Sequence, residues 1–217
     1  MELTNIDELT QVKFIDYKTV FIDKRAKIGN NVLIYPNNVI EGGCEIGDNV
    51  ILLPNNYIFN SKILSGTKIF NSVIEDSFVE ENVNIGPFAH LRPDSKIKTQ
   101  AKIGNFVEIK NSTIGQKSKV SHLSYVGDAD VGAHVNVGCG VVFVNYNGKT
   151  KARSRIEDKS FIGSSVNVVA PVHIGKSVYV CAGSTVDQDV PDNAFVIGRS
   201  KIQIKPDRAK NYLKGDE

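Results

Sequence analysis

The stretch FIDKRAKIGNNVLIYPNNVIEGGCEIGDNVILLPNNYI, residues 21–58, decides the fold. An aliphatic residue returns at every sixth position: Ile22, Ile28, Ile34, Ile40, Ile46, Leu52 and Ile58. A helical period fits this step poorly, and Gly, Asn and Asp recur too often for long helices. The step resumes as Ile85, Leu91, Ile97, Ile103 and Ile109, and again as Ile156, Ile162, Val168, Ile174, Val180 and Val186. Between these runs it is six or five, through Ile63, Ile69, Ile74 and Val79, then Ile114, Val120, Val126, Val131, Val137 and Phe143. Such repetition is the signature of an all-β, hexapeptide-repeat parallel β-helix. Three short strands and three turns make one triangular coil, with each aliphatic side chain pointing inward and backbone groups pairing between coils. The series contains 28 steps, which predicts about nine coils.

The ends and one interruption stand apart. Residues 1–18 read as a lead-in that pairs as a strand or short helix, 19–190 as the β-helix, and 191–217 as a cap and charged tail. Thirteen residues separate Phe143 from Ile156, and the excess falls in the basic segment VNYNGKTKARSR. That segment, about residues 144–155, must protrude from the prism as a loop, and loops on rigid scaffolds often carry function.

The register also places polar residues. Equal offsets three steps apart stack on adjacent coils, so Asn105, His122, Cys139, Ser164 and Ala182 form one polar-to-small column. Arg92 and Lys110 fall on adjacent coils, an unfavourable stack of like charges unless an anion lies between them. With Lys151 and Arg153 they suggest a phosphate cradle. Glu108 and Tyr125 are neighbours in the same way, and Asn136 belongs to the same few coils. His90, His134 and His173 read as solvated surface residues, and Cys139 as a small buried residue rather than a nucleophile.

Composition narrows the classes of function. The 217 residues are 41% hydrophobic and 23% charged, with a net charge of +2. Scattered basic residues give no reason to expect nucleic acid or a membrane surface as partner. No apolar run approaches the roughly 20 residues that span a bilayer. Three cysteines without CxxC spacing suit a reducing cytoplasm.

The segments GPFAHLRPDSKI, KIGNFVEIKNSTIG, SHLSYVGDADVGAHVNVGCG, VNYNGKTK and FIGSSVNVVAPVHIGKSVYVCAGSTV, with the arginine of VIGRS, carry a further likeness. Over about residues 12–200 the chain resembles the acetyltransferase domain of the bacterial bifunctional N-acetylglucosamine-1-phosphate uridyltransferase/glucosamine-1-phosphate N-acetyltransferase. The resemblance implies a left-handed prism, a homotrimer with sites between neighbouring prisms, and acetyl-CoA-dependent N-acetylation of glucosamine-1-phosphate in the UDP-sugar route to cell-envelope precursors, with no metal in the transfer. It further implies His122 as general base with Glu108 orienting or tuning it; Arg92, Lys110 and Lys151 on the sugar phosphate; and Tyr125 and Asn136 on the sugar. Asn145 and Tyr146 would lie at the acetyl-transfer end, with Cys139, Ser164, Ala182 and Arg199 along the coenzyme groove.

The sequence departs from that family at Cys139, where a small alanine is usual, at Asn147, where NYDG is usual, and in its C-terminal tail. It also lacks the family's uridyltransferase domain, so a separate uridyltransferase is a candidate partner. Three rivals remain open: another amino-sugar acceptor, a non-catalytic hexapeptide partner of a sugar nucleotidyltransferase, and a γ-class carbonic anhydrase. The last needs three convergent histidines, whereas His122 and His134 fall at different offsets.

Overall fold

The structure, a computed structural model, describes residues 2–212. Its strands form three parallel sheets of eleven, ten and nine strands, and strands paired side by side lie three apart in chain order, except at the C-terminal end of the first sheet, where they lie two apart. The whole is an all-β, left-handed β-helix of about ten coils. The aliphatic series counts nine because the outermost pairing strands fall outside it. Val12–Phe14 pairs with Val32–Ile34 at one end, and Phe195–Val196 pairs with Tyr179–Val180 at the other.

Every inward aliphatic of the series is buried except Ile28, which packs partly covered near the N-terminal end. Burying each such side chain is worth about 1.5–3 kcal/mol, and the ladders run unbroken along the axis. Short strands leave a tight corner every few residues. Many corners hold asparagine in the left-handed region, such as Asn31, Asn49 and Asn82 with φ of 54°, 58° and 56°. Its short polar side chain tolerates that conformation better than most. Beneath one corner, buried Asn56 donates to Asn38 Oδ1 (2.8 Å) and accepts from the Ser72 amide (3.0 Å), so its own polar groups are satisfied.

The coil that matters most is Lys102–Asn105, Glu108–Lys110 and Thr113–Ile114; the next is Lys119–His122, Tyr125–Gly127 and Ala129–Val131. Their registers are Ile103 on Val120, Ile109 on Val126 and Ile114 on Val131. The corner between their first and second strands carries apolar residues at positive φ: Phe106 (54°) and Leu123 (45°), with Phe88 (57°) one coil earlier. All three are exposed, and the Phe88 and Phe106 rings stack with centroids 5.1 Å apart.

All three thiols are free. Cys44 and Cys181 are buried, and burial pushes the Cys44 thiol up. Cys139, expected to be buried, is exposed. It stands two residues past the inward Val137, where the chain turns the corner and directs its side chain away from the axis. Among the described residues no helix is long and apolar enough to cross a membrane.

Candidate active site

The column deduced from the six-residue step forms as expected at its core. Asn105 and His122 are register partners, and His122 Nδ1 lies 2.8 Å from Asn105 Oδ1. With the carboxamide oxygen accepting, Nδ1 carries the proton and Nε2 keeps its lone pair, facing solvent on an exposed ring. Backbone bonds tie the following corners together: Gly140 to His122, Ser165 to Cys139 and Gly183 to Ser164. Ser164 and Ala182 are exposed along this edge, and Arg199 folds back to donate to the Ala182 carbonyl at 2.6 Å.

Charges arrange differently from the sequence expectation. Arg92 and Lys110 do occupy adjacent coils of the second sheet, but Arg92 Nη1 donates to Glu108 Oε1 at 2.7 Å. Arg92 is therefore paired rather than left facing a like charge. The same contact commits Glu108, and within the chain it makes no hydrogen bond to His122. Glu108 projects from the second sheet whereas His122 ends a strand of the first, with the corner between them. Asn105 holds the imidazole instead. Arg153 does not join a cradle either: its Nε and Nη2 grip Asp130 at 2.8 and 2.7 Å, and its Nη1 reaches the Asn111 carbonyl at 2.9 Å.

The like-charged pair that does form is Lys110 with Lys151. The positive charge of neighbouring Lys110 holds Lys151 below the ordinary lysine range, while Asp128 and Tyr125 act in the opposite direction. Two neighbouring ammonium groups repel each other unless an anion lies between them.

Lys151 reaches this place because the loop closes on itself. It leaves the prism after Val142–Val144 and re-enters at Ser154–Ile156. Tyr146 and Lys151 form an antiparallel bridge, Ala152 N donates to Asn145 O (2.9 Å), and Asn147 Oδ1 caps the amides of Lys149 and Thr150. Asn145 and Tyr146 part company here. Asn145 turns inward, 8% exposed, while Tyr146 is 54% exposed with its hydroxyl on the Gly148 carbonyl. Asn145 Nδ2 donates to Asp128 Oδ2 and, at 3.3 Å, to the Tyr125 hydroxyl.

Two residues here escaped the sequence reading. Gly127 stands on the rung above Lys110, and a Cβ there would strike the Tyr125 ring and hydroxyl. Asp128 is nearly buried, with Asn111 Nδ2 donating to its Oδ1 at 2.6 Å. Burial would raise its carboxyl, but the hydrogen bonds from Asn111 and Asn145 and the charges of Lys110 and Lys151 hold it below the usual range. The spacing of YVGDA contained both positions; nothing in it revealed that the loop would fold over them.

Asn136 lies apart from the cations. It projects from the first sheet between Lys119 and Phe161, whereas Arg92, Lys110 and Tyr125 project from the second. His90 and His173, expected to be merely solvated, pair with Glu75 (2.9 Å) and Glu157 (3.1 Å); His134 is exposed at a corner. Among the described residues no three His, Cys, Asp or Glu side chains gather as a metal site.

A stacked-coil prism of six-residue steps defines the hexapeptide-repeat class. A bacterial transferase hexapeptide (six repeats) model matches residues 25–60, and a GMPPB C-terminal domain model matches residues 73–196. The chain belongs to the GMPPB C-terminal domain family of hexapeptide-repeat proteins. It is 53% identical to the bifunctional protein GlmU of Caldicellulosiruptor saccharolyticus over 190 residues, 88% of this chain and 41% of that protein. Against the bifunctional protein GlmU of Clostridioides difficile the identity is 50%, covering 89% of this chain and 42% of that protein. The chain thus spans about two fifths of these relatives, on their C-terminal part. The structure of an Arabidopsis UDP-N-acetylglucosamine acyltransferase has the same fold, with a TM-score of 0.67, 18% identity, and coverage of 85% of this chain and 71% of that one.

Proposed function

We propose that the protein transfers the acetyl group of acetyl-CoA to the amine of glucosamine-1-phosphate, with His122 as the general base. The observation that carries this reading is the joint presence of an imidazole with a free Nε2, fixed by Asn105, and the Lys110–Lys151 cation pair. Tyr125 links the two, three residues past His122 and hydrogen-bonded to the Asn145 amide at the base of the loop. The kinship with GlmU sequences supports the choice of sugar phosphate.

In this reading Lys110 and Lys151, aided by Arg92, hold the phosphate, and Tyr125 and Asn136 contact the sugar. Cys139, Ser164, Ala182 and Arg199 line the coenzyme groove, with Asn145 and Tyr146 toward its acetyl end. The substrate ammonium gives one proton to His122 Nε2, and the freed amine bonds to the acetyl carbon. The C–S bond then breaks, and the second nitrogen proton leaves with the thiol. A positioned base contributes about 10²–10⁴-fold, and phosphate anchoring adds the proximity term. Glu108 acts by holding Arg92 rather than by touching the base.

The proposed assembly is a homotrimer. Asn136 and the cationic residues project from two different sheets of one prism, so a single small substrate reaches both sets only where neighbouring prisms face each other. The exposed Phe88, Phe106 and Leu123 beside His122 form an apolar corner suited to such a contact. The proposed compartment is the cytoplasm, and no metal is assigned to the transfer.

Amino-sugar-dependent thiol release from acetyl-CoA, with the product identified by mass as an N-acetyl sugar phosphate, tests the reading. A non-catalytic partner of a sugar nucleotidyltransferase would release no thiol with any amino sugar.

A further inference from the structure

We propose that Asp128 is a positioning residue for acyl transfer, acting through Asn145: its second carboxylate oxygen sets the direction of the Asn145 amide. The proposal rests on the acetyltransferase reading above.

Asp128 sits in a stack of corner residues that also contains Asn60, Asp76, Asp94 and Asn111, joined coil to coil. Most of this stack has one job, a polar side chain at a left-handed corner. Asp76 does it with φ of 41° while exposed, accepting from Asn60 at 2.6 Å. Asp128 does the same with its Oδ1, at φ of 48°, accepting from Asn111 at 2.6 Å. The corner therefore accounts for one oxygen and for no burial. Asp128 is nonetheless only 7% exposed, because the 145–153 loop folds over it. Ser154 N donates to its carbonyl at 3.1 Å, and Asn145 Nδ2 donates to the remaining oxygen, Oδ2.

That second contact has a chemical consequence. A carboxamide has two N–H donors and one acceptor oxygen. Asn145 directs its nitrogen to Asp128 Oδ2 and the Tyr125 hydroxyl. Its Oδ1 has no protein donor among the described residues, although Asn145 is nearly buried. The oxygen is thus presented to a ligand N–H, the kind of donor carried both by an attacking amine and by the amide arm of an acyl-CoA. A carboxylate at position 128 accepts from Asn111 and Asn145 at once and so holds the amide this way round. A carboxamide there would offer an N–H to at least one of the two donors it now satisfies. The carboxylate also faces the Lys110–Lys151 pair and offsets part of its charge.

A double-mutant cycle on the full chain tests the inference, with Asp128→Asn, Asn145→Ala, both together, and Asp76→Asn as a corner control. Asp128→Asn is expected to lower kcat about tenfold or more with KM for acetyl-CoA within about threefold, while Asp76→Asn leaves kcat unchanged. In the Asn145→Ala background, Asp128→Asn is expected to cost less than about twofold more, because the group it positions is gone. Losses that multiply in the double variant, or wild-type kcat in Asp128→Asn, would overturn the proposal. A wild-type protein with no turnover contradicts the functional reading instead. The contact is then read by trypsin cleavage after Lys149 and Lys151: faster cleavage in Asp128→Asn supports it, and an unchanged rate overturns it.

Discussion

His122 and Asn105 meet across adjacent coils, Nδ1 to Oδ1 at 2.8 Å, as partners in the same strand register. The geometry makes the tautomer a property of the fold, since the coil spacing that pairs the backbones also pairs the side chains. Asn105→Ala is therefore expected to lower kcat by about tenfold, and His122→Ala by about 10²–10⁴-fold, with the prism intact in both. Steady-state kinetics alongside circular dichroism check this. Wild-type turnover in His122→Ala would move the base elsewhere.

The Lys110–Lys151 pair predicts how the phosphate is recognised. Lys110→Ala or Lys151→Ala should raise KM for glucosamine-1-phosphate about tenfold or more, and change KM for acetyl-CoA little. Raising salt should weaken the wild type more than either variant, since fewer charges remain to be screened. An equal rise in both KM values would mean that the lysines hold the structure rather than the phosphate.

Stability at the N-terminal end should depend on pH through Asp23. Its carboxylate is 1% exposed and gripped by Arg25 at 2.7 and 3.0 Å. The Arg25 guanidinium, helped by the amides of Arg25 and Gly42, holds it well below the usual carboxylate range. A lowered folded-state value means that the stabilisation is complete above the unfolded value, about 3.9, and is lost as pH falls below it. Asp23→Asn should thus unfold at lower denaturant than wild type at pH 7, and the difference should shrink as pH is taken from about 4 toward 2. A gap that is independent of pH would assign the effect to packing.

A buried amide ladder should cost more to cut than an exposed one. Asn56→Ala leaves Asn38 Oδ1 and the Ser72 amide without their partner, an expected loss of about 1–3 kcal/mol in urea unfolding. Asn37→Gly, which keeps the left-handed corner at φ 59° and removes an exposed 3.0 Å bond to Asn55, should cost less than about 1 kcal/mol. Equal losses would show that the interior position contributes nothing beyond the bond.

What could be read in advance follows from where the information resides. The six-residue step is written directly in the positions of Ile, Leu and Val, so the prism, the coil register and the Asn105–His122 column were all legible. The end strands Val12–Phe14 and Phe195–Val196 pack on the core but lie outside the six-residue step. Long flexible charges were the other blind spot. Register places the Cα atoms of Arg92, Glu108 and Lys110, but their side chains reach past the nearest rung, and Arg92 chose Glu108. The loop followed its own closure rather than the repeat. Consequently the burial of Asp128 and Asn145, and the meeting of Lys151 with Lys110, had no periodic signal to announce them.

The central claim is that this corner acetylates the amine of an anchored sugar phosphate. Thiol release from acetyl-CoA, measured with glucosamine-1-phosphate and with glucosamine at equal concentration, tests it most directly. The account predicts rapid release with the phosphorylated sugar, a fall of about 10²-fold or more in kcat/KM without the phosphate, and sharply reduced release in His122→Ala. No release with glucosamine-1-phosphate, or equal rates with both sugars, would contradict it.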